Sequence, residues 1–128
     1  MQPEDYLKDA TAYFWEGSFA VIRGGGPYPD AFATIKDKNE VTVIIDQTRL
    51  GDTVLAESEK GWKILTLDVV FPLDTVGILA KIASALAEKG IGLLAVSAYS
   101  RDHFLVREKD MQKVNEAMKS IGITVLKK

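Results

Sequence analysis

A chain of 128 residues with no cysteine and a single histidine excludes disulfides, thiolate metal sites, a cysteine nucleophile and multi-histidine metal sites, yet it is long enough to bury roughly 65–70% of its unfolded surface without a staple. A net charge of -2 and a pI near 5.4, with Lys and Arg scattered among acids, argue against a nucleic-acid partner. The acidic, polar start MQPEDYLKDA does not read as a signal peptide, and no apolar run approaches the ~20 residues of a membrane span, so a cytoplasmic domain without a membrane partner is expected.

Residues 4–12 (EDYLKDATA) predict a short helix, acidic at its start where the helix dipole favours acids. Residues 18–23 (SFAVIR) are a compact apolar run stopped by Gly24-Gly25-Gly26-Pro27, which reads as a strand entering a turn. The glycine triplet is a poor phosphate loop. No Lys-Ser/Thr pair follows, Pro27 and Pro29 lack backbone donors, and no helical pattern begins there. Residues 31–36 and 40–46 flank Asp37-Lys38-Asn39 and predict a hairpin. Val41, Val43 and Ile45 share one side of its second strand, with Ile44 on the other. Residues 47–61 are polar and irregular, with one helical turn expected around residues 53–59, and read as a link. Trp15 and Trp62 are expected in a core or an interface.

The second half is more regular. Residues 64–71 alternate as a half-buried strand ended by Pro72, which cannot donate to a ladder. Asp74 or Thr75 is expected to cap the next helix, whose apolar stripe is Ile78, Leu79, Ile82, Ala83, Leu86 and Ala87. Gly90 stops that helix, with Ile91 packing back on Leu86. Residues 93–99 and 103–107 are strands around Ser100-Arg101-Asp102. A second helix at 110–121 presents Met111, Val114, Met118 and Ile121 on one side, Gly122 stops it, and residues 123–127 make a last strand. The fold class is therefore α+β: a ferredoxin-like βαββαβ unit with both helices on one face of a four-stranded antiparallel sheet. It occupies residues 62–128 and is preceded by a β-rich half at 1–61.

Between residues 67 and 106 the sequence resembles the ACT domain. The resemblance rests on the first strand, the loop Pro72-Leu73-Asp74-Thr75-Val76-Gly77-Ile78-Leu79 and the helix exit Glu88-Lys89-Gly90-Ile91. Gly77-Ile78-Leu79 match the family pattern, while Val76 stands where a Pro commonly falls and Gly92 where an Asn often does. Ser97-Ala98-Tyr99-Ser100 and the strand after it are similar to small tandem-ACT proteins related to cytosolic arginine sensors. The resemblance implies a degenerate ACT-like unit at 1–61 and a non-catalytic regulatory module without cofactor. It also implies an amino acid or related small metabolite as ligand, a homodimer, and a regulated protein partner on which the module acts in trans.

The ligand-binding residues expected on this basis are Asp74, Thr75, Val76, Gly77, Ile78 and Ser97. A helix N-terminus offers free N–H groups and positive partial charge to a carboxylate. Asp74 would take the ligand's ammonium, and Gly77 would let the ligand or a neighbouring strand come close. A different class of function, an interaction module that keeps the fold without the ligand, would reveal itself by an exposed apolar strip. An enzyme is the least expected class. His103 beside Asp102 resembles a base with an orienting acid, but no nucleophile, carboxylate pair or metal spacing accompanies it.

Overall fold

The computed structural model describes residues 2–24, 28–50 and 57–127. In chain order its elements are α1 (Pro3–Leu7), β1 (Thr11–Phe14), β2 (Phe19–Arg23), β3 (Ala33–Lys36), β4 (Val41–Asp46), β5 (Ser58–Leu67), α2 (Ile78–Glu88), β6 (Leu94–Ser97), β7 (Asp102–Arg107), α3 (Met111–Ser120) and β8 (Thr124–Lys127). By its internal contacts the chain divides into two units. One is Gly17–Trp62; the other joins Met1–Glu16 to Lys63–Lys128. The division expected between residues 61 and 62 therefore meets a different grouping, because the first sixteen residues pack with the second half.

In the unit Gly17–Trp62 the strands lie in the order β3-β4-β2-β5, the last contributing its first residues opposite Phe19 to Ile22. The predicted hairpin is present. Asp37 Oδ1 closes its turn by accepting from the N–H groups of Asn39 (2.7 Å) and Glu40 (2.9 Å), which hold the carboxyl below its ordinary pKa. Ala20, Ile22, Val43, Ile45 and Leu50 form the core, and Ile44 is buried on the other side of β4. The link expected at 47–61 is shorter than anticipated: a 3₁₀ turn covers Gln47–Leu50, and strand pairing has begun at Ser58. Residues 53–56 of the expected helical turn, and Gly25, Gly26 and Pro27 of the glycine turn, lie outside the described residues.

The discontinuous unit has the predicted βαββαβ order with one addition. Its strands run β6-β7-β5-β1-β8, so β1 occupies the place between the first and last strands of the motif. It pairs antiparallel with β5 (Ala12 opposite Leu67) and parallel with β8 (Ala12 opposite Val125). The expected four-stranded, wholly antiparallel sheet is thus corrected to five strands with one parallel pair. The helix expected over residues 4–12 is correspondingly short, ending at Leu7. Thr11, Tyr13 and Phe14 are strand formers, and Ala12 is small enough to sit buried under the helices.

Both helices cover one face. Ile78, Ile82, Ala85 and Leu86 of α2 and Val114, Ala117 and Met118 of α3 pack with Ala12, Leu65, Leu67, Phe104, Val106 and Ile123 in one core. Burial of the Val, Leu, Ile, Phe and Met side chains among them is worth about 1.5–3 kcal/mol each. Leu79 and Ala87, placed on the stripe by sequence, lie outside it and are exposed. The two helix exits share one geometry. Ile91 N donates to Leu86 O and Gly90 N to Ala87 O; Ile123 N donates to Met118 O and Gly122 N to Lys119 O, all at 2.9–3.1 Å. These are Schellman ends, and each sends the following Ile back into the core as the sequence predicts.

The N-terminal segment also braces the start of α2. Gly77 is the N-cap residue, at φ +94°, and a Cβ there would stand 2.6 Å from Pro3 Cγ. Tyr6 meets Phe71 edge to face at 6.0 Å, Glu4 Oε1 lies 3.7 Å from Lys81 Nζ, and Leu7 is buried in the shared core. A side chain at position 77 thus faces both a left-handed backbone and a rigid ring. Gly77→Ala is expected to lower stability by about 1–3 kcal/mol, measured by urea unfolding. Ala12→Pro, which cannot donate to either ladder, should strip the amides of β8 of hydrogen-exchange protection while those of α2 keep theirs.

Candidate functional site

The chain leaves β5 at Leu67, and residues 68–77 lead into α2 without regular structure. Pro72 O accepts from both Thr75 N (3.0 Å) and Thr75 Oγ1 (2.6 Å), so the hydroxyl closes a tight turn over residues 72–75. Neither Asp74 nor Thr75 caps the helix, contrary to the expectation. Thr75 is committed to the turn, and α2 begins at Ile78 after Gly77 with no side-chain cap. The first bond across that end runs from Lys81 N to Gly77 O at 3.0 Å, which leaves the N–H groups of Ile78, Leu79 and Ala80 ahead of the ladder.

A cleft of about 220 Å³ lies against this helix start. Phe71, Leu73, Thr75, Gly77, Ile78 and Leu79 line one part of it. Ser97 to Ser100 and Asp102, from the β6–β7 hairpin, line the other. Of the residues expected from sequence, the cleft brings together Thr75, Gly77, Ile78 and Ser97. Asp74 and Val76 do not line it: Asp74 is exposed at the turn, and Val76 is 83% exposed.

The residue that sequence reasoning missed is Asp102. The sequence places it in the turn Ser100-Arg101-Asp102, but it opens β7 opposite Ser97, and the residue is only 7% exposed. Its carboxylate makes no hydrogen bond among the described residues. A carboxylate so placed is stabilised by a cation or a donor brought to it. The signal was present in the alternation. Asp102, Phe104 and Val106 share one face of β7, and the last two are wholly buried.

A larger cleft, about 440 Å³, opens among Phe14, Trp15, Met111, Asn115 and Val125, but its charged residues, Glu16 and Lys63, are not buried. Among the described residues no group of acids and His is arranged to hold a metal, and no helix is long and apolar enough to cross a membrane.

Known proteins share the fold. The family model described as ACT domain matches residues 57–120. A solved protein from Agobacterium tumefaciens superposes with a TM-score of 0.79 at 23% identity, over 93% of each chain. A Vibrio cholerae protein of unknown function, described as a possible transport protein, gives 0.78 at 22% identity over 93% of this chain and 94% of its own. The ligand-free regulatory subunit of aspartate kinase from Thermus thermophilus gives 0.64 at 10% identity, over 90% and 97% respectively. No curated protein matches the sequence. The match of the family model over half the chain, on a βαββαβ unit with two Schellman helix ends, shows that the chain belongs to the ACT-domain family of regulatory small-molecule-binding modules.

Proposed function

We propose that this chain is a non-catalytic regulatory module whose ligand is an amino acid or a close metabolite bearing both a carboxylate and an amine. The observation that supports the reading is the pairing, on one cleft, of a helix start with free N–H groups and the carboxylate of Asp102, a largely buried residue that opens onto the cleft and makes no hydrogen bond among the described residues. The ligand's carboxylate sits at the N–H groups of Ile78 and Leu79, where the helix dipole favours an anion. Its ammonium goes to Asp102, in place of Asp74. Thr75, Gly77 and Ser97 supply the walls, and Asp74 and Val76 act through the loop that carries them. The aspartate kinase subunit supports the regulatory part of this reading by its fold alone.

A second reading rests on a separate observation. Leu73, Val76 and Tyr99 are 68%, 83% and 82% exposed in the segments bordering the cleft, and Val70 and Leu79 are exposed as well. Exposed apolar side chains gathered in segments that border one cleft favour protein contact. A homodimer, or docking to a regulated protein, would cover it.

Thermal unfolding against the twenty amino acids separates the two. A ligand that binds only the folded state raises stability by about 2.7 kcal/mol at a hundred times Kd. One or two amino acids are expected to raise Tm, with the shift abolished in Asp102→Asn and smaller in Asp74→Ala. If no amino acid shifts a protein that still unfolds cooperatively, and Val76→Glu alters its oligomeric state, the interaction module is the function.

A further inference from the structure

On the face of the sheet away from the helices, three neighbouring strands are joined through their side chains. Trp15, directly after β1, donates from Nε1 to Thr66 Oγ1 on β5 at 2.7 Å, and that oxygen lies 2.7 Å from His103 Nδ1 on β7. Thr66 is 0% exposed and makes no other side-chain bond among the described residues. The indole N–H can only donate, so it occupies a lone pair of the hydroxyl oxygen. The hydroxyl proton then has one acceptor within reach, His103 Nδ1. Neutral His103 is thereby fixed with its proton on Nε2.

An imidazolium cannot keep this arrangement, because both of its nitrogens donate. We propose that His103, on β7, is a proton switch that acts on β1: protonation makes Nδ1 a donor, turns the Thr66 proton into a buried space without an acceptor, and loosens Trp15 and β1. The consequence reaches further than one hydrogen bond. Among the described residues β8 pairs only with β1, so what loosens β1 also loosens β8.

The surrounding charges bear on the switch in both directions. Burial is the largest influence and holds His103 below its ordinary pKa of 6.5; Asp102 favours the imidazolium, and Arg101 opposes it. Arg101 is itself engaged by Asp68, just beyond β5, at 2.8 Å, and Tyr13 of β1 stands opposite Thr66. With the folded pKa depressed, the stabilisation is complete above about pH 6.5 and is lost as pH falls through the folded value. His103 is the only histidine, so no other imidazole titrates in that window.

The test is amide hydrogen exchange by NMR at pH 7.0 and 5.0, corrected for intrinsic rates, with the imidazole ¹⁵N shifts read in parallel. The switch predicts an unprotonated Nδ1 at pH 7.0. It also predicts that protection of β1 and β8 falls about tenfold or more at pH 5.0 while that of α2 stays constant. His103→Gln and Thr66→Val should each remove the difference between the two pH values. A neutral ring protonated at Nδ1, equal protection at both pH values, or a loss that persists in His103→Gln would overturn the proposal.

Discussion

The insertion of β1 between β5 and β8 is the constraint on which the discontinuous unit depends. A βαββαβ chain can close its sheet by laying its last strand beside its first. Among the described residues that contact does not form, and the last strand is reached only through residues 11–14. The N-terminal segment is accordingly part of the fold. Leu7, Ala10 and Ala12 enter the same core as Phe104, Val106 and Met118.

The same segment shapes the candidate site. With β1 fixed in the sheet, α1 lies over the loop that follows β5, where Pro3 closes on Gly77 and Tyr6 meets Phe71. The absence of a side chain at residue 77 then has two reasons, a left-handed backbone and a neighbouring ring. Both are structural, and both determine where the first N–H groups of α2 point. Across the cleft, the position of Asp102 follows from the register of β6 on β7, which sets it opposite Ser97. Helix start and carboxylate are thus held by different elements, each anchored in one core, as a site that binds a small molecule in a fixed orientation requires.

Much of this unit was legible in the sequence because its signals are local. Lys89-Gly90-Ile91 and Ile121-Gly122-Ile123 each contain the glycine and the returning apolar residue that a Schellman end needs, and both ends form as read. The hairpin about Asp37 was equally plain. Residues 11–14 were hidden because a strand's neighbours are set by distant partners: TAYF carries strand formers, but it follows an acidic helical stretch and is too short to announce a strand. The helix cap was misplaced for a related reason. Asp74 and Thr75 have the right chemistry, but Pro72 O takes the Thr75 hydroxyl and delays the helix to Ile78. Asp102 was missed because a polar residue next to Ser100 and Arg101 reads as a turn, although its alternation with Phe104 points inward.

The claim that most needs testing is that one cleft binds both ends of an amine-bearing acid. NMR titration with whichever amino acid most raises Tm reports this residue by residue. Saturable shifts are expected at the amides of Ile78 and Leu79 and at Ser97 and Asp102, with the lining of the larger cleft at Met111 and Asn115 unmoved. Shifts confined to that larger cleft, or none at α2 and Asp102 under saturating ligand, would contradict it.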